Sequence, residues 1–246
     1  MLLRRITQNV KDQNWTAIAI DFVIVVTGVF LGLQVQEWSS ERADRSKVVD
    51  QLDSFRAELI LSREDIAAHK EYIEDRLASV NELRAILADQ QRDVSDAEIY
   101  ALTQSSIRAV GFTVDIRRGY EELSQSGSIS SIRDPDLKRI LYSWDSRLTR
   151  LRRSEARTAE QRDAFTLPPI MQSMSAANIF GGDERYVAIA TADRFPLDLS
   201  ALRRDRDFDN GLAIREIAAM QNLNLLIEFE EATNDLIDAL EKEGSE

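Results

Sequence analysis

Four acidic side chains in one short segment have the spacing of a calcium-binding loop. The stretch "DRDFDNGLAIRE" places carboxylates at loop positions 1, 3, 5 and 12, which are Asp205, Asp207, Asp209 and Glu216. Position 6, where the sharp turn of such a loop requires glycine, is Asn210, which tolerates the left-handed conformation. Calcium binding is therefore one interpretation. The other is a helix N-terminus, where acidic residues cap free amides and complement the helix dipole.

Few other residues could carry chemistry. The chain has no cysteine and a single histidine, His69, so thiolate nucleophiles, disulfides and cysteine-ligated zinc are excluded. No G-x-S-x-G segment accompanies the histidine, as a hydrolase of the Ser-His-Asp type would require. A net charge of −12 argues against nucleic acid as a partner, because phosphate binding needs a basic face. The sequence predicts a protein that is not an enzyme and needs no cofactor.

Another carboxylate, Asp21, lies inside an almost unbroken apolar run between Trp15 and Trp38. As a helix the run would measure about 36 Å, slightly more than the hydrocarbon core of a bilayer. A tryptophan at each end is typical of the aromatic belts at membrane surfaces. Residues 22–33 leave no polar face for a soluble core helix, and no A-x-A-like signal cleavage site is found. We therefore predict a transmembrane helix over residues 15–38.

Charges on the two flanks predict the direction of this helix. Arg4, Arg5 and Lys11 precede it, whereas acidic and basic residues are mixed after it. The positive-inside rule makes residues 1–14 a cytoplasmic head and residues 39–246 an extracytoplasmic domain. Because the head is too short for an output domain, a partner in the membrane would have to carry any signal.

Two features inside the predicted span have alternative interpretations. Asp21 either snorkels toward a cytoplasmic arginine, or carries ions, or pairs with a polar residue of a partner helix. Gly28 and Gly32 form a G-x-x-x-G pattern that allows a second helix to approach closely, although membrane helices are rich in glycine in general.

The extracytoplasmic part is predicted to be an all-α bundle that begins with a long helix over residues 39–90. Apolar residues recur there every seven positions, at Leu52, Leu59, Ile66, Ile73, Val80 and Leu87. A second column of the same spacing is polar in its middle, at Ser62, His69 and Arg76. This pattern favours a helix packed in a bundle with a polar layer over a two-stranded coiled coil. His69 is then a hydrogen-bonded packing residue or a pH sensor.

Capping signals divide the rest of the chain. The capping box "SDAE" and the C-terminal cap Gly127 predict short helices over about 96–110 and 117–126. Asp134 and Pro135 begin a long helix over 135–165, and a last long helix covers 209–242. Between these two helices we expect an irregular crossover over 166–208. Along the 135–165 helix, a basic stripe binds either an anionic ligand or acidic neighbouring helices: Arg147, Arg150, Arg153 and Arg157.

Two blocks of the sequence resemble an uncharacterised family of bacterial single-pass membrane proteins, a domain of unknown function. "DFVIVVTGVFLGLQVQEWSSER" is similar to the family's acid, valine-rich run, glycine and A-L-Q-x-N-N-W-N-E, with "QEWSS" in place of "NNWNE". The matching positions are Asp21, Gly28, Leu33, Gln34 and Trp38. "GYEELSQSG" is similar to the family's T-Y-E-E-L-x-x-S-G, and "DFDNGLAIRE" to a helix start of the type F-x-N-x-L. The resemblance implies a bacterial inner-membrane protein with a periplasmic domain and implies no known activity.

A shorter likeness points to an ion-coupled function. "WTAIAIDF" is similar to the W-x5-D-F of the B-type subunits of bacterial proton-driven stators, in which the Asp carries protons. The exported part shows no peptidoglycan-binding pattern. Two hypotheses result. The first is a scaffold that acts through helix–helix contacts with a membrane or periplasmic protein or a second copy, anchored in the lipid bilayer. The second is an ion-coupled partner of a multispan membrane complex that uses Asp21.

Overall fold

The structure is a computed structural model that describes residues 15–108, 116–180 and 196–243. Within these ranges the chain is helical and has no strand, which confirms the predicted all-α fold. The helices are α1 (Trp15–Ala88), α2 (Asp96–Ile107), α3 (Arg118–Gln125), α4 (Ser128–Ser131), α5 (Pro135–Gln161), a π-helical turn (Arg162–Thr166), α6 (Leu167–Ser173), α7 (Ala176–Phe180), α8 (Leu199–Leu202) and α9 (Arg206–Glu243). The chain divides into two compact units, Met1–Leu52 and Asp53–Glu246.

In the second unit, α1 buries the apolar column that the sequence predicts. Its buried members there are Leu59, Ile66, Ile73, Val80 and Leu87. The parallel column is buried at Phe55, Ser62, Arg76 and Leu83 and largely buried at His69. The helix ends at Ala88, two residues before the predicted end. Arg203 donates hydrogen bonds to the carbonyls of Ile86, Gln90 and Arg92 around this end.

The predicted caps of the short helices are confirmed. Ser95 begins α2, and its hydroxyl accepts a hydrogen bond from the amide of Glu98 at 3.2 Å. α2 ends at Ile107, one residue before its C-cap Arg108, and residues 109–115, which include the last two predicted positions, lie outside the described ranges. Gly127 follows α3 with φ of +75°, the left-handed conformation that a glycine cap supplies. The one-turn helix α4, directly after it, is not predicted by any pattern above.

The prediction of an irregular crossover over 166–208 is wrong where the structure describes that segment. α5 starts at the predicted Asp134 cap, which accepts from the amide of Asp136 at 2.8 Å, but it ends at Gln161 and continues into the π-helical turn and α6. α7 and α8 add further short helices, and residues 181–195 lie outside the described ranges. Pro168 and Pro169 lie in the first turn of α6, where proline is compatible with a helix because its missing N–H is not needed.

Four aromatic rings from four helices form the centre of the bundle. Trp144 of α5 has its ring centroid 5.4 Å from that of Phe55 of α1, 5.9 Å from that of Tyr120 of α3 and 5.6 Å from that of Phe229 of α9. Its indole N–H donates to Thr233 Oγ1 at 3.0 Å, so the polar atom of this fully buried side chain is satisfied.

Candidate functional site

The N-terminal part of α1 carries an apolar surface that no part of the described chain covers. Its large side chains are 45–68% exposed around the whole circumference: Ile20, Phe22, Val23, Ile24, Val25, Val26, Val29, Phe30, Leu31, Leu33, Val35 and Trp38. By length and composition α1 is the one helix in the described ranges that could cross a membrane. A helix that is apolar all round needs lipid or protein around it, because it has no face suited to water.

Asp21, Gly28 and Gly32 share one stripe of this helix. A helix turns by about 100° per residue, so the two glycines lie about 20° to either side of the direction of Asp21. Nothing lies within 4 Å of the position that a Cβ would take at either glycine, and Asp21 is half-exposed. The glycines therefore form a shallow open groove beside the carboxylate. The cytoplasmic arginines that could pair with Asp21 lie outside the described residues.

Trp15 and Trp38, the tryptophans predicted to anchor the helix at the two membrane surfaces, are described to different extents. The backbone of Trp15 begins α1, while its side chain lies outside the described part. Trp38 is 63% exposed, and the guanidinium carbon of Arg42 lies 5.8 Å from the centroid of its ring. This cation–π contact brings a positive charge to the end of the apolar run, where the sequence turns polar.

The predicted calcium loop is not formed. Residues 206–216 lie inside α9, whose regular turns replace the irregular loop that would direct four carboxylates at one ion. Asp205 caps this helix instead: its Oδ1 accepts from the amides of Asp207 and Phe208, each at 3.0 Å. The hydroxyl of Ser173 donates to Oδ2 at 2.6 Å, and this bond, with those from the two amides, lowers the pKa of Asp205.

The remaining carboxylates of that motif are used differently. Arg84 of α1 pairs with both Asp209, at 3.2 Å, and Glu216, and Asp207 is exposed. Across the residues that the structure describes, no group of three or more His, Asp or Glu side chains could hold a metal ion. The acidic spacing therefore belongs to a helix start and an ion-pair network.

The network continues along α1 as a series of basic residues spaced by seven or fourteen positions. This series is not among the features predicted from the sequence. Arg56 pairs with Glu241 at 3.1 Å, Arg63 donates to Asn234 Oδ1 at 2.7 and 3.0 Å, and Lys70 pairs with Glu230 at 3.0 Å. Arg84 completes the series at the other end. We call this series the cation ladder. Because the partners descend along α9 as the cations ascend along α1, the two helices run antiparallel. The recurring basic residues were the available signal.

The polar layer predicted around His69 has a specific partner. His69 Nε2 lies 2.8 Å from Glu155 Oε1 of α5, and the two side chains are only 9% and 7% exposed. Nearby on α5, Ser154 donates to Asn222 Oδ1 at 2.6 Å, and Asn222 Nδ2 donates to Thr158 Oγ1 at 3.1 Å. The arrangement agrees with a hydrogen-bonded packing histidine.

Arg76 and Arg215 are buried arginines, only 4% and 2% exposed. Arg215 donates to the carbonyls of Ser106, at 3.1 Å, and Arg108, at 3.2 Å, where α2 ends. Arg76 donates to the hydroxyl of Tyr72 at 3.0 Å, and its guanidinium carbon lies 4.9 Å from the ring centroid. Burial lowers the pKa of Arg76, and burial together with the charge of Arg76 lowers the pKa of Arg215 to about 10. This pair is revealed only by the tertiary structure.

Two of the four arginines in the basic stripe of α5 contact an acidic residue of α9. Arg147 donates to the carbonyl of Glu228 on α9 at 2.8 Å, and Arg150 pairs with the carboxylate of the same residue. Arg153 and Arg157 are exposed. The contacts of the first two arginines agree with the interpretation of the stripe as a source of salt bridges.

The "GYEEL" block lies at the centre of the bundle. Tyr120 and Leu123 of α3 are buried, and burial, with the charge of Asp145 as a second cause, raises the pKa of Tyr120. The amide of Gly119 donates to Glu58 Oε2 at 3.1 Å. The block therefore joins α3 to α1.

Comparisons with protein-family models, with curated proteins and with solved structures found no match to this chain. Its function is therefore inferred from its own residues.

Proposed function

We propose that this chain is a membrane-anchored interaction protein: a single-pass protein of a bacterial inner membrane that displays a helical bundle on the periplasmic side. The observation that carries the proposal is the apolar part of α1, whose large side chains are exposed all round. A bilayer is the environment that covers such a surface without a complementary protein face.

A role in binding rather than catalysis is supported by how the polar side chains of the bundle are used. The carboxylates of Asp205, Asp209, Glu216 and Glu230 cap a helix or pair with the cation ladder, and Glu155 meets His69. A catalytic carboxylate or imidazole has to face a substrate in a cleft. Side chains committed to contacts between helices stabilise a surface on which other proteins can dock.

The absence of cysteine makes the anchor and its direction directly testable. Single substitutions Thr7→Cys and Ser40→Cys would place one thiol on each side of the proposed span, with no background thiol. We expect a membrane-impermeant maleimide added to spheroplasts to label Ser40→Cys at once and Thr7→Cys only after permeabilisation. Alkaline carbonate should leave the protein in the membrane pellet. Extraction into the soluble fraction would overturn the anchor, and the opposite labelling pattern would overturn the direction.

The stripe of Asp21, Gly28 and Gly32 favours a second candidate, an ion-coupled subunit. A carboxylate inside the hydrocarbon region needs a partner or a proton, and the groove beside it allows a partner helix to approach closely. Asp21→Asn keeps a hydrogen-bonding side chain but cannot release a proton. If Asp21→Asn fails to replace the wild-type protein in the cell while a partner still co-purifies in mild detergent, Asp21 carries protons. If co-purification is lost, Asp21 is a pairing group. If both the phenotype and co-purification are unchanged, the ion-carrier hypothesis is wrong. Gly32→Leu, which fills the groove, is the companion test of helix packing.

A further inference from the structure

We propose that Arg76, Arg162 and Arg215 form a site inside the helical bundle for a small oxyanion of the phosphate or sulfate type. The site is independent of the membrane function proposed above. It joins α1, the π-helical turn and α9, none of which the sequence motifs connect.

The first argument is uncompensated charge. Arg76 and Arg215 are almost completely buried, and within the described ranges no carboxylate lies at salt-bridge distance from either guanidinium. Arg162 carries a further positive charge, and Asp163, the carboxylate that pairs with it at 2.6 Å, is 58% exposed. Burying like charges without a counter-charge is costly, because the interior solvates them poorly. An anion would remove that cost.

The second argument is an unsatisfied donor. The Nε of Arg76 is buried and has no hydrogen-bond partner among the residues that the structure describes. One of the other donors of this guanidinium is used by the hydroxyl of Tyr72, which brings no formal negative charge. The Nε atoms of Arg56, Arg117 and Arg203 are also buried without a partner in the described part of the chain, but Arg76 is the one of these four arginines whose whole side chain is buried. The oxygen of a bound anion would supply the missing acceptor.

Two sets of contacts place the segments that carry the three arginines next to one another. Ser79, almost one turn after Arg76 on α1, donates to the hydroxyl of Ser105 at 2.9 Å, next to the α2 carbonyls that receive Arg215. On the other side, the hydroxyl of Thr166 in the π-helical turn donates to the carbonyl of Gly211 at 3.3 Å, one turn before Arg215.

α9 and the π-helical turn are in close contact at Gly211. A Cβ at this position would lie 3.4 Å from the carbonyl oxygen of Phe165 and 3.4 Å from the Cα of Thr166, which is ordinary van der Waals contact. The π-helical turn that starts at Arg162 has the wider geometry often found at functional sites.

The chemistry of arginine specifies the class of ligand. The planar guanidinium presents paired donors that match two oxygens of a phosphate or carboxylate. A tetrahedral dianion offers acceptors in several directions at once and neutralises two of the three charges. The side chain of Arg162 keeps 18% exposure, so the cluster reaches the surface at this residue, where a small ion can enter.

The test uses the full-length protein in mild detergent and follows thermal unfolding by tryptophan fluorescence, since Trp144 is fully buried. Phosphate, sulfate and acetate are titrated against chloride at matched ionic strength. We expect the dianions to raise Tm in a saturable manner, acetate to act more weakly, and Arg76→Met to weaken the apparent affinity by about tenfold or more. In chloride alone Arg76→Met should be at least as stable as the wild type, because it removes a buried charge that no carboxylate of the described residues pairs with.

The control is Arg118→Met, which removes an arginine whose side chain is 77% exposed and should keep the wild-type response. If Arg76→Met does not fold, Arg162→Met at the edge of the site must weaken the response instead. A rise in Tm that does not saturate, or is the same in the arginine variants and the wild type, would be a general salt effect and would overturn the site. So would the lack of any rise.

Discussion

Gly119 of α3 lies directly against the ring of Phe55 of α1. A Cβ added to Gly119 would be 2.5 Å from Phe55 Cδ2 and 2.7 Å from Glu58 Oε2, and Phe55 itself is fully buried against Trp144. The ring cannot turn away without disturbing the aromatic centre of the bundle. Glycine at this position therefore has a steric reason.

We predict that Gly119→Ala destabilises the bundle by about 1–3 kcal/mol, the range typical of overpacked cores. Urea unfolding followed by circular dichroism measures the change. Gly28→Ala is the matched control, since nothing lies within 4 Å of its Cβ position, and it should leave the unfolding midpoint of the bundle unchanged. A Gly119→Ala protein as stable as the wild type would show that α3 does not approach α1 as closely as described.

The contact between His69 and Glu155 should behave as a coupled pair. Replacing either residue with leucine leaves the other polar group buried without this partner, which costs about 1–3 kcal/mol. We expect the double replacement to be less destabilising than the sum of the two single ones. A double-mutant cycle in urea measures the difference, and strict additivity would mean that the two side chains do not interact.

Asp205 should give the protein a specific sensitivity to acid. Its pKa is lower than the ordinary value of 3.8, chiefly through the hydrogen bond from Ser173. The ionised cap therefore stabilises the fold above about pH 4 and loses this effect as pH falls through the lowered pKa. Asp205→Ala should cost about 1 kcal/mol at neutral pH, and the difference from the wild type should shrink near pH 3. Urea unfolding at the two pH values measures this. A difference that does not depend on pH would contradict a role for the charged form.

The members of the cation ladder should contribute unequally. Arg84→Met removes contacts to two carboxylates and should cost about 1 kcal/mol, whereas Lys70→Met removes a single solvent-accessible pair and should cost clearly less than Arg84→Met. Both effects should decrease at high salt, because these charges are partly exposed. If the two substitutions destabilise the protein equally, or if high salt does not change the destabilisation, the ion pairs of Arg84 and Lys70 do not contribute as described.

Much of the fold was predictable where local chemistry determines it. The caps Ser95, Gly127 and Asp134, and the apolar column of α1, depend on residues close in sequence, so their patterns were sufficient. The acidic run from Asp205 was ambiguous because a calcium loop and a helix start favour the same residue types. Only the contacts of Asp205 with Ser173 and of Asp209 with Arg84 distinguish them.

Contacts between distant segments could not be predicted from one sequence. Arg215 reaches carbonyls more than a hundred residues away, at Ser106 and Arg108, and no periodicity connects them. The short helices α6 and α8 were missed for a different reason, since Pro168 and the residues around Asp198 suit a loop as well as a first helical turn. Tertiary contacts decided between those states.

The cation ladder has one interruption, at Leu77, and this interruption specifies the register of α1 against α9. Leu77 lies midway between Lys70 and Arg84, so by position it falls opposite residue 223, midway between Glu230 and Glu216, and this residue is also leucine. Sliding α9 by seven residues in either direction would place Leu77 opposite a glutamate and a cation opposite Leu223. Leu77 therefore disfavours a shift of α9 by seven residues. If the ladder had a charged residue at every seventh position, such a shift would still pair opposite charges.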